Sequence, residues 1–561
     1  MSDNYFRFIL EEREDEFNFE KNKSKIDIRF NRVAFIFFVF FSIFLIYSIH
    51  LIHLGSRKSD INSSKEFKNP ELIKRANIID RNGTFLAKTV SSIDIGINPT
   101  EIIDQKKLIL NLKLIFPKKN FDLIKKKIDK KKFFWLEKKI SEENYELIMK
   151  LGDKSIKPKE NIIRLYPQKN LFSHIIGQID EDNIGISGLE KSKDKQLKKN
   201  DAPIRLSVDK DIQFLIREEL IKYNKIFKTL GSAAVLMNVN NGEVISIVSL
   251  PDFDPNERIS ITDKNYINRA TKGVYELGSV FKTFTLAAAI NSKKVEPQTE
   301  FKDLKKSIKC GKNFISEYDD KIPTNLTAEE ILIRSGNIGS VRIGQSVGIE
   351  NYKKFLNDLK LIKSIKFDIE EVGVPLHFDW GKCKLATVSY GHGITTTIIQ
   401  LANAYSILAN GGYEINPTLI ITDNNFKRNL ILREDVTKKI IPIMRKIVTS
   451  KEGTASLANV KGYEVGGKTG TAQKSSIGGY SKNKINTFAS IFPISNPKYS
   501  LVVMLDEPKT NSEYIYNYRD GSGIKYKGTP FNTAGWTSVE VAGQIIEKIG
   551  PILATKYKEI N

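Results

Sequence analysis

Ser279 and Lys282 stand three positions apart in YELGSVFKTF (275–284), at the head of the apolar run FTLAAAI. A hydroxyl and an amine at i and i+3 share one helix face and can touch. Such a pair can act as a nucleophile and its base. Spacing alone decides nothing, because Ser-x-x-Lys also starts at Ser192, Ser207, Ser481, Ser495 and Ser522. Only Ser279 follows a glycine and opens a long apolar helical stretch. A serine at a helix start also lies among unpaired backbone N–H groups, where developing negative charge is favoured.

Two companions strengthen the pair. Ser335-Gly336-Asn337 lies in EEILIRSGNIGS, and Lys468-Thr469-Gly470-Thr471 lies in VGGKTGTAQ. Each alone reads as an ordinary polar turn. In this order on one chain they add a second hydroxyl, an amide and a second ammonium to the first pair. The glycine-rich approach to Lys468 reads as a strand edge that another backbone can approach closely.

The elements around these residues divide the chain. VAFIFFVFFSIFLIYSIHLIHLG begins at Val33, and no charge follows until Arg57. A bilayer needs about 20 apolar residues, so 32–54 reads as a transmembrane anchor. A cleaved signal fits less well, because its apolar region is about 7–15 residues and ends at a small-residue site. Lys21, Lys23, Lys25, Arg29 and Arg32 precede the span, against Glu20 and Asp27. The positive-inside rule then leaves a tail, 1–31, in the cytoplasm. Arg57 and Lys58 weaken that contrast without reversing it. Everything after about residue 55 is expected outside the membrane.

A chain of 561 residues implies two or three domains. Its net charge of +22 comes from a lysine bias spread over the whole sequence. Residues 101–160 are the densest lysine region, but acidic residues are interleaved and no nucleic-acid motif is present. No nucleic-acid partner is expected. Cys310, Cys383 and the five histidines show no metal-ligand spacing, so neither metal nor cofactor is expected. A Cys310–Cys383 disulfide and two buried thiols are both open readings.

Residues 75–99 read as strand, turn, strand, with Asn82-Gly83 as the hairpin signal. Residues 102–155 read as solvated helices, 164–180 and 185–190 as short strands and turns, and 204–223 as a strand entering an amphipathic helix. From about 230 the pattern changes. Two apolar strands surround an Asn-Gly turn (233–251), followed by apolar helices, strands at 487–494 and 499–508, and a closing helix over 536–553. That order predicts a mixed sheet covered by helices.

The triple Ser-x-x-Lys, Ser-x-Asn, Lys-Thr-Gly resembles the signature of penicillin-binding proteins and serine β-lactamases. RANIIDRNGTFLA, RLYPQKNLFSHIIGQID with GISGLE, and GEVISIVSLPDFDPN resemble further segments of class B penicillin-binding proteins, over nearly the whole chain after residue 30. SGNIG, the TAGW near residue 535 and the length resemble the division-specific members more than the elongation-specific ones. The resemblance implies an α+β multidomain protein. It would have one transmembrane helix, an elongated α+β pedestal of the dimerisation type at 55–225, and a transpeptidase domain at 226–556. The last would be serine β-lactamase-like, with helices around a mainly antiparallel sheet. It also implies location in the inner membrane with the catalytic domain in the periplasm.

By the same resemblance the activity is D,D-transpeptidation of peptidoglycan. Ser279 is the implied nucleophile, Lys282 the base, Ser335 the proton relay, and Asn337 and Lys468 their companions. Thr469, Gly470 and Thr471 are implied to bind substrate. The oxyanion is expected between the N–H groups of Ser279 and Thr471. Implied partners are stem peptides and lipid-linked precursor products, β-lactams as covalent inhibitors, and a glycosyltransferase with other division proteins. An unperturbed lysine is neutral only about once in a few thousand molecules at pH 7, so Lys282 must be shifted down by roughly three units. Burial and a neighbouring Lys468 are the expected causes. Leu277 and Ile398 stand where the family often has proline. His392, in YGHGITTTIIQ, reads as structural, and Arg164 and Glu190 as ties within the pedestal. The alternatives are an elongation-specific enzyme, a β-lactam-hydrolysing or sensing protein, and a non-catalytic division scaffold.

Overall fold

The computed structural model describes residues 32–56, 74–257, 259–260, 262–421, 429–476 and 479–556. Helix α1, Arg32–Ser56, is 25 residues long. Its Phe35–Ile52 window has a mean hydropathy of 2.5 and buries nothing. At about 1.5 Å per residue it is long enough to span a hydrocarbon core of about 30 Å. The expected cytoplasmic tail (1–31) lies outside the described residues, as do Arg57 and Lys58.

The pedestal is built on a five-stranded sheet. Strand β1 (Ile78–Ile79) turns at Asp80–Gly83 into the long β2 (Phe85–Ile97), as the Asn-Gly signal predicts. Asp80 Oδ1 accepts the N–H groups of Asn82 and Thr84 at 2.9 and 2.7 Å, which fixes the turn. β2 is flanked by β3 (Phe134–Ile140) and β4 (Ile156–Leu165), both antiparallel to it. β5 (Ile204–Arg205) runs parallel to β1.

The lysine-rich segment corrects the sequence reading in one place. Helices form at Gln105–Ile115, Phe121–Asp129 and Glu142–Met149, but β3 is a strand. Phe134 and Trp135 pair with Ile97 and Gly96 of β2. Aromatic residues suit a pleated, half-buried surface, and Lys131, at φ 52°, lies in the turn that ends the preceding helix. A second correction concerns 164–180 and 185–190, read as short strands and turns, which hold or adjoin helical turns. These are Lys169–Phe172, Ser173–Ile176 and Gly188–Ser192.

Helix α2 (Lys210–Ile226) follows β5, capped by Asp209, whose side chain accepts from Asp211 N and Ile212 N. Strands β6 (Gly231–Asn238) and β7 (Val244–Leu250) are wholly buried. After them come helix α3 (Lys282–Asn291) and the hairpin β8 (Ser307–Cys310) and β9 (Asn313–Ser316). Helices α4 (Ala328–Arg334), α5 (Asn337–Val347), α6 (Lys382–Ser389) and α7 (Ile398–Ala409) follow. Strands β10 (Gly466–Ser476), β11 (Gly479–Phe492) and β12 (Tyr499–Asp506) complete a sheet in the order β10-β11-β12-β6-β7. Every pairing in it is antiparallel. Helix α8 (Ser538–Lys556) closes the chain. Strands and helices here share one continuous apolar core, which also takes in Ile78, Leu86 and Phe172 of the pedestal base. The outer pedestal has its own smaller core around Ile95, Leu112 and Ile148.

Cys310 on β8 and Cys383 on α6 are joined as a disulfide, with Cα atoms 5.4 Å apart. Ile398 takes the first position of α7 behind a capping box of Thr397 and Gln400. That box fixes the helix start where proline would otherwise be favoured.

Candidate active site

Ser279 lies in a 3₁₀ turn, Gly278–Phe281, and Lys282 is the first residue of α3. The α-helix thus begins just after the candidate nucleophile. Residues Lys282–Ile290 are all buried, and polar pins hold the helix. Tyr405 Oη donates to Val280 O at 2.9 Å, and Thr285 Oγ1 donates to Ser389 O at 2.7 Å. Leu277, in the place of the family's proline, is fully buried ahead of the turn.

Lys282 Nζ donates to Ser335 O and Asn337 Oδ1, both at 2.6 Å, and to Ser335 Oγ at 3.3 Å. Lys468 Nζ donates to the same Ser335 Oγ at 2.8 Å. The Ser335 hydroxyl therefore sits between two lysines that the sequence places far apart. Ser335 reaches that position as the cap of α4, in left-handed backbone at φ 60° and ψ 38°. A non-glycine residue there is strained, and such strain persists where the surroundings over-determine it. Asn337 Nδ2 donates to Ser316 O of β9 at 2.8 Å.

Both lysines are buried, Lys282 to 1% exposure and Lys468 to none. Burial pulls Lys282 down to about 7, against an opposing pull from Glu317. Lys468 is also lowered well below the ordinary lysine range, first by burial and then by the Lys282 cation. The shift expected at Lys282 is present, but its main cause is burial. Repulsion between the two cations works in the same direction as burial.

Gly470 has a packing role besides the substrate contact that the resemblance implies. A Cβ there would meet Leu277 O at 2.1 Å and Val280 N at 3.2 Å. Its missing side chain lets β10 lie against the Ser279 turn. Thr469 Oγ1 is 2.7 Å from Thr454 Oγ1, and Thr471 Oγ1 accepts Ala534 N–H at 2.9 Å. Ser279, Ser335, Asn337, Thr469 and Thr471 line one cleft of about 610 Å³. Lys282, Lys468 and Gly470 lie in its buried floor.

Sequence reasoning missed Glu317 and Thr454. The Glu317 carboxylate accepts the N–H groups of Asn337 and Ile338 at 2.6 and 2.8 Å, capping α5 and fixing Asn337. Neither residue sits at a motif spacing, so no local signal marks them. The TAGW segment, which the sequence offers only as a resemblance, supplies Gly535 and Trp536 to the cleft lining.

The transpeptidase domain model of penicillin-binding proteins matches residues 232–522. The penicillin-binding protein dimerisation domain model matches residues 70–224. The chain is 30% identical to the probable peptidoglycan D,D-transpeptidase FtsI of Caulobacter vibrioides, over 86% of this chain and 82% of that one. It is 28% identical to the stage V sporulation protein D of Bacillus subtilis, over 79% and 75% of the two chains. The crystal structure of penicillin-binding protein 3 from Mycobacterium tuberculosis superposes with a TM-score of 0.64 at 22% identity, covering 86% of this chain and 96% of that one. With two domain models in tandem and two buried lysines meeting one serine hydroxyl beneath the cleft, the chain belongs to the penicillin-binding protein family, with a dimerisation domain ahead of a transpeptidase domain.

Proposed function

We propose that this protein is a peptidoglycan D,D-transpeptidase acting in septal wall synthesis, with Ser279 as its acylated nucleophile. The observation that carries the reading is the Ser335 hydroxyl held between Lys282 and Lys468, in the cleft that Ser279 also lines. Lys282, brought down to about 7, is neutral in a large fraction of molecules at neutral pH. It takes the Ser279 proton as Oγ attacks the donor's D-Ala-D-Ala carbonyl. A neutral amine has two N–H donors and one lone pair, so one of its three contacts must yield. The longest is to Ser335 Oγ. That hydroxyl, in reach of both lysines, passes a proton to the leaving amine.

The N–H groups of Ser279 and Thr471 hold the oxyanion; removing one such donor typically costs about 10²–10³ in rate. Asn337 orients the substrate's peptide, and Thr469 and Thr471 hold its terminal carboxylate. Residues 55–225 are the pedestal and 226–556 the catalytic domain. The anchor leaves the tail in the cytoplasm and both domains in the periplasm, where a glycosyltransferase partner supplies glycan strands. The FtsI name of the Caulobacter relative favours division over elongation.

Fluorescent penicillin should label the full-length protein covalently and leave Ser279→Ala unlabelled; equal labelling of both would sink the assignment. Depletion in cells separates the two roles. Filaments mean division, and rounded cells mean elongation.

A further inference from the structure

One wall of the cleft has no part in acylation as described. The segment Tyr390–Gly393 runs beside the Ser279 turn. Tyr275 and Thr396 exchange backbone hydrogen bonds at 2.9 and 3.0 Å. A Cβ on Gly391 would lie 1.9 Å from Gly278 O, so only glycine allows this approach. Its neighbours Tyr390 and His392 are thereby delivered to the cleft that Ser279 lines.

His392 is framed on several sides. Its ring stacks on Tyr390 with centroids 5.7 Å apart and planes 12° apart. The Tyr480 ring of β11 lies 4.6 Å away. Glu276 Oε2 faces His392 Nδ1 at 3.8 Å. That carboxylate is itself fixed, accepting Gly393 N–H and the Tyr480 hydroxyl, each at 3.0 Å. Lys384 of α6 is the nearby cation, and its Nζ donates to Gly393 O at 2.5 Å. Burial lowers the imidazole's proton affinity and Lys384 adds to this, while Glu276 pulls the other way. Tyr390 is pushed up to about 12 and Tyr480 is raised as well, so both phenols stay neutral.

A carboxylate, two electron-rich ring faces and a half-exposed imidazole together attract a cation. The reaction has one cationic reactant that still needs a base. The acceptor amine arrives as an ammonium, with an ordinary pKa near 10.4 for a side-chain amine. It must lose a proton before it can attack. Lys282 and Lys468 lie buried in the floor, where they serve the first half of the reaction.

We propose that His392, oriented by Glu276 and framed by Tyr390 and Tyr480, receives the acceptor strand's ammonium and removes its proton. The proposal rests on the acyl-enzyme reading above. With Nδ1–H turned to Glu276, Nε2 is the basic nitrogen. The ammonium gives one proton to Nε2. The freed lone pair attacks the ester carbon and forms the C–N bond. The second nitrogen proton passes to Ser279 Oγ as the C–O bond breaks. The imidazolium then releases its proton to solvent. Ester plus ammonium become amide, serine hydroxyl and one proton.

The test uses the full-length protein, a thioester mimic of the donor, and a D-amino acid as the acceptor amine. Penicillin acylation reports the first half-reaction and the intact fold. The split of the acyl-enzyme between aminolysis and hydrolysis reports the second. In His392→Gln the ratio of aminolysis to hydrolysis should fall about a hundredfold at pH 7. The deficit should close as pH rises toward the acceptor's own pKa, where free amine needs no base. Glu276→Gln should weaken amine saturation, raising its KM with a smaller effect on kcat. An unchanged ratio in His392→Gln, or a loss shared equally by acylation and aminolysis at every pH, would overturn the proposal. A wild-type protein that penicillin does not label would instead overturn the acyl-enzyme reading beneath it.

Discussion

Two buried cationic clusters, one in the pedestal and one under the cleft, use similar residues to opposite ends. In the pedestal, Arg75 and Arg164 both reach the Glu190 carboxylate at 2.7 Å, with side chains 1%, 2% and 0% exposed. Arg75 also meets Asp194 at 2.6 Å. Each arginine has a facing carboxylate, and the cluster ties Arg75, strand β4 and the Gly188–Ser192 turn together. Under the cleft, Lys282 and Lys468 face a shared hydroxyl instead. The acid that pulls on Lys282, Glu317, has its oxygens committed to the backbone of α5. Paired charge in a dry interior stays charged and holds structure. Unpaired like charge there is driven toward neutrality, which for lysine means a usable base. Residue type also matters: a guanidinium cannot be deprotonated in this range, and an ammonium can.

The comparison breaks most sharply at Lys282. Lys282→Arg keeps a cation in place but removes the base, so penicillin acylation should fall by about 10²–10⁴-fold in stopped-flow or gel labelling. Near-wild-type acylation would show that the cleft cluster holds charge as the pedestal does. The reciprocal change, Glu190→Ala, strands buried Arg164 and leaves Arg75 with Asp194 alone. It should destabilise the protein by about 3–5 kcal/mol in chemical denaturation, with little effect on acylation per folded molecule.

Smaller effects sharpen the picture. Gly470→Ala forces β10 off the Ser279 turn, and a displacement of about 1 Å can cost about 10²-fold in rate. Labelling should slow by that order while the melting curve moves little. The acylation rate should rise with pH through about 7 and level above it, because the reactive form of Lys282 is the neutral one. Below that point the rate should fall about tenfold per pH unit. A flat profile from pH 5 to 8 would remove Lys282 as the base.

Much of this was legible in the chain. The Asn82-Gly83 and Asn241-Gly242 turns, the apolar β6, β7, β11 and β12, and the amphipathic α2 all follow from periodicity and turn chemistry. Strand β3 was lost because lysines on either side masked a short aromatic strand, whose pairing with β2 is a tertiary contact. The turns at 169–176 and 188–192 were lost for a related reason, being too short to show a helical period. At the site, motif spacing marked Ser279, Lys282, Ser335, Asn337 and Lys468. It could not mark Glu317 or Thr454, which act across gaps of 20 and 15 residues. Nor could it place Tyr480 beside Glu276, 204 residues away.

By itself, the sequence determined an ordered set of reactive groups, an apolar span long enough to cross a membrane, and the strands and helices that carry the motifs. Composition and local spacing are enough for that. Only the tertiary structure decided what those groups can do. It set Lys468 against Ser335 across 133 residues, used Gly470 to seat a strand against the nucleophile's turn, and put Lys282 where water does not reach. A pKa depends on burial and on charges brought from distant segments, and neither is a property of the chain until it folds.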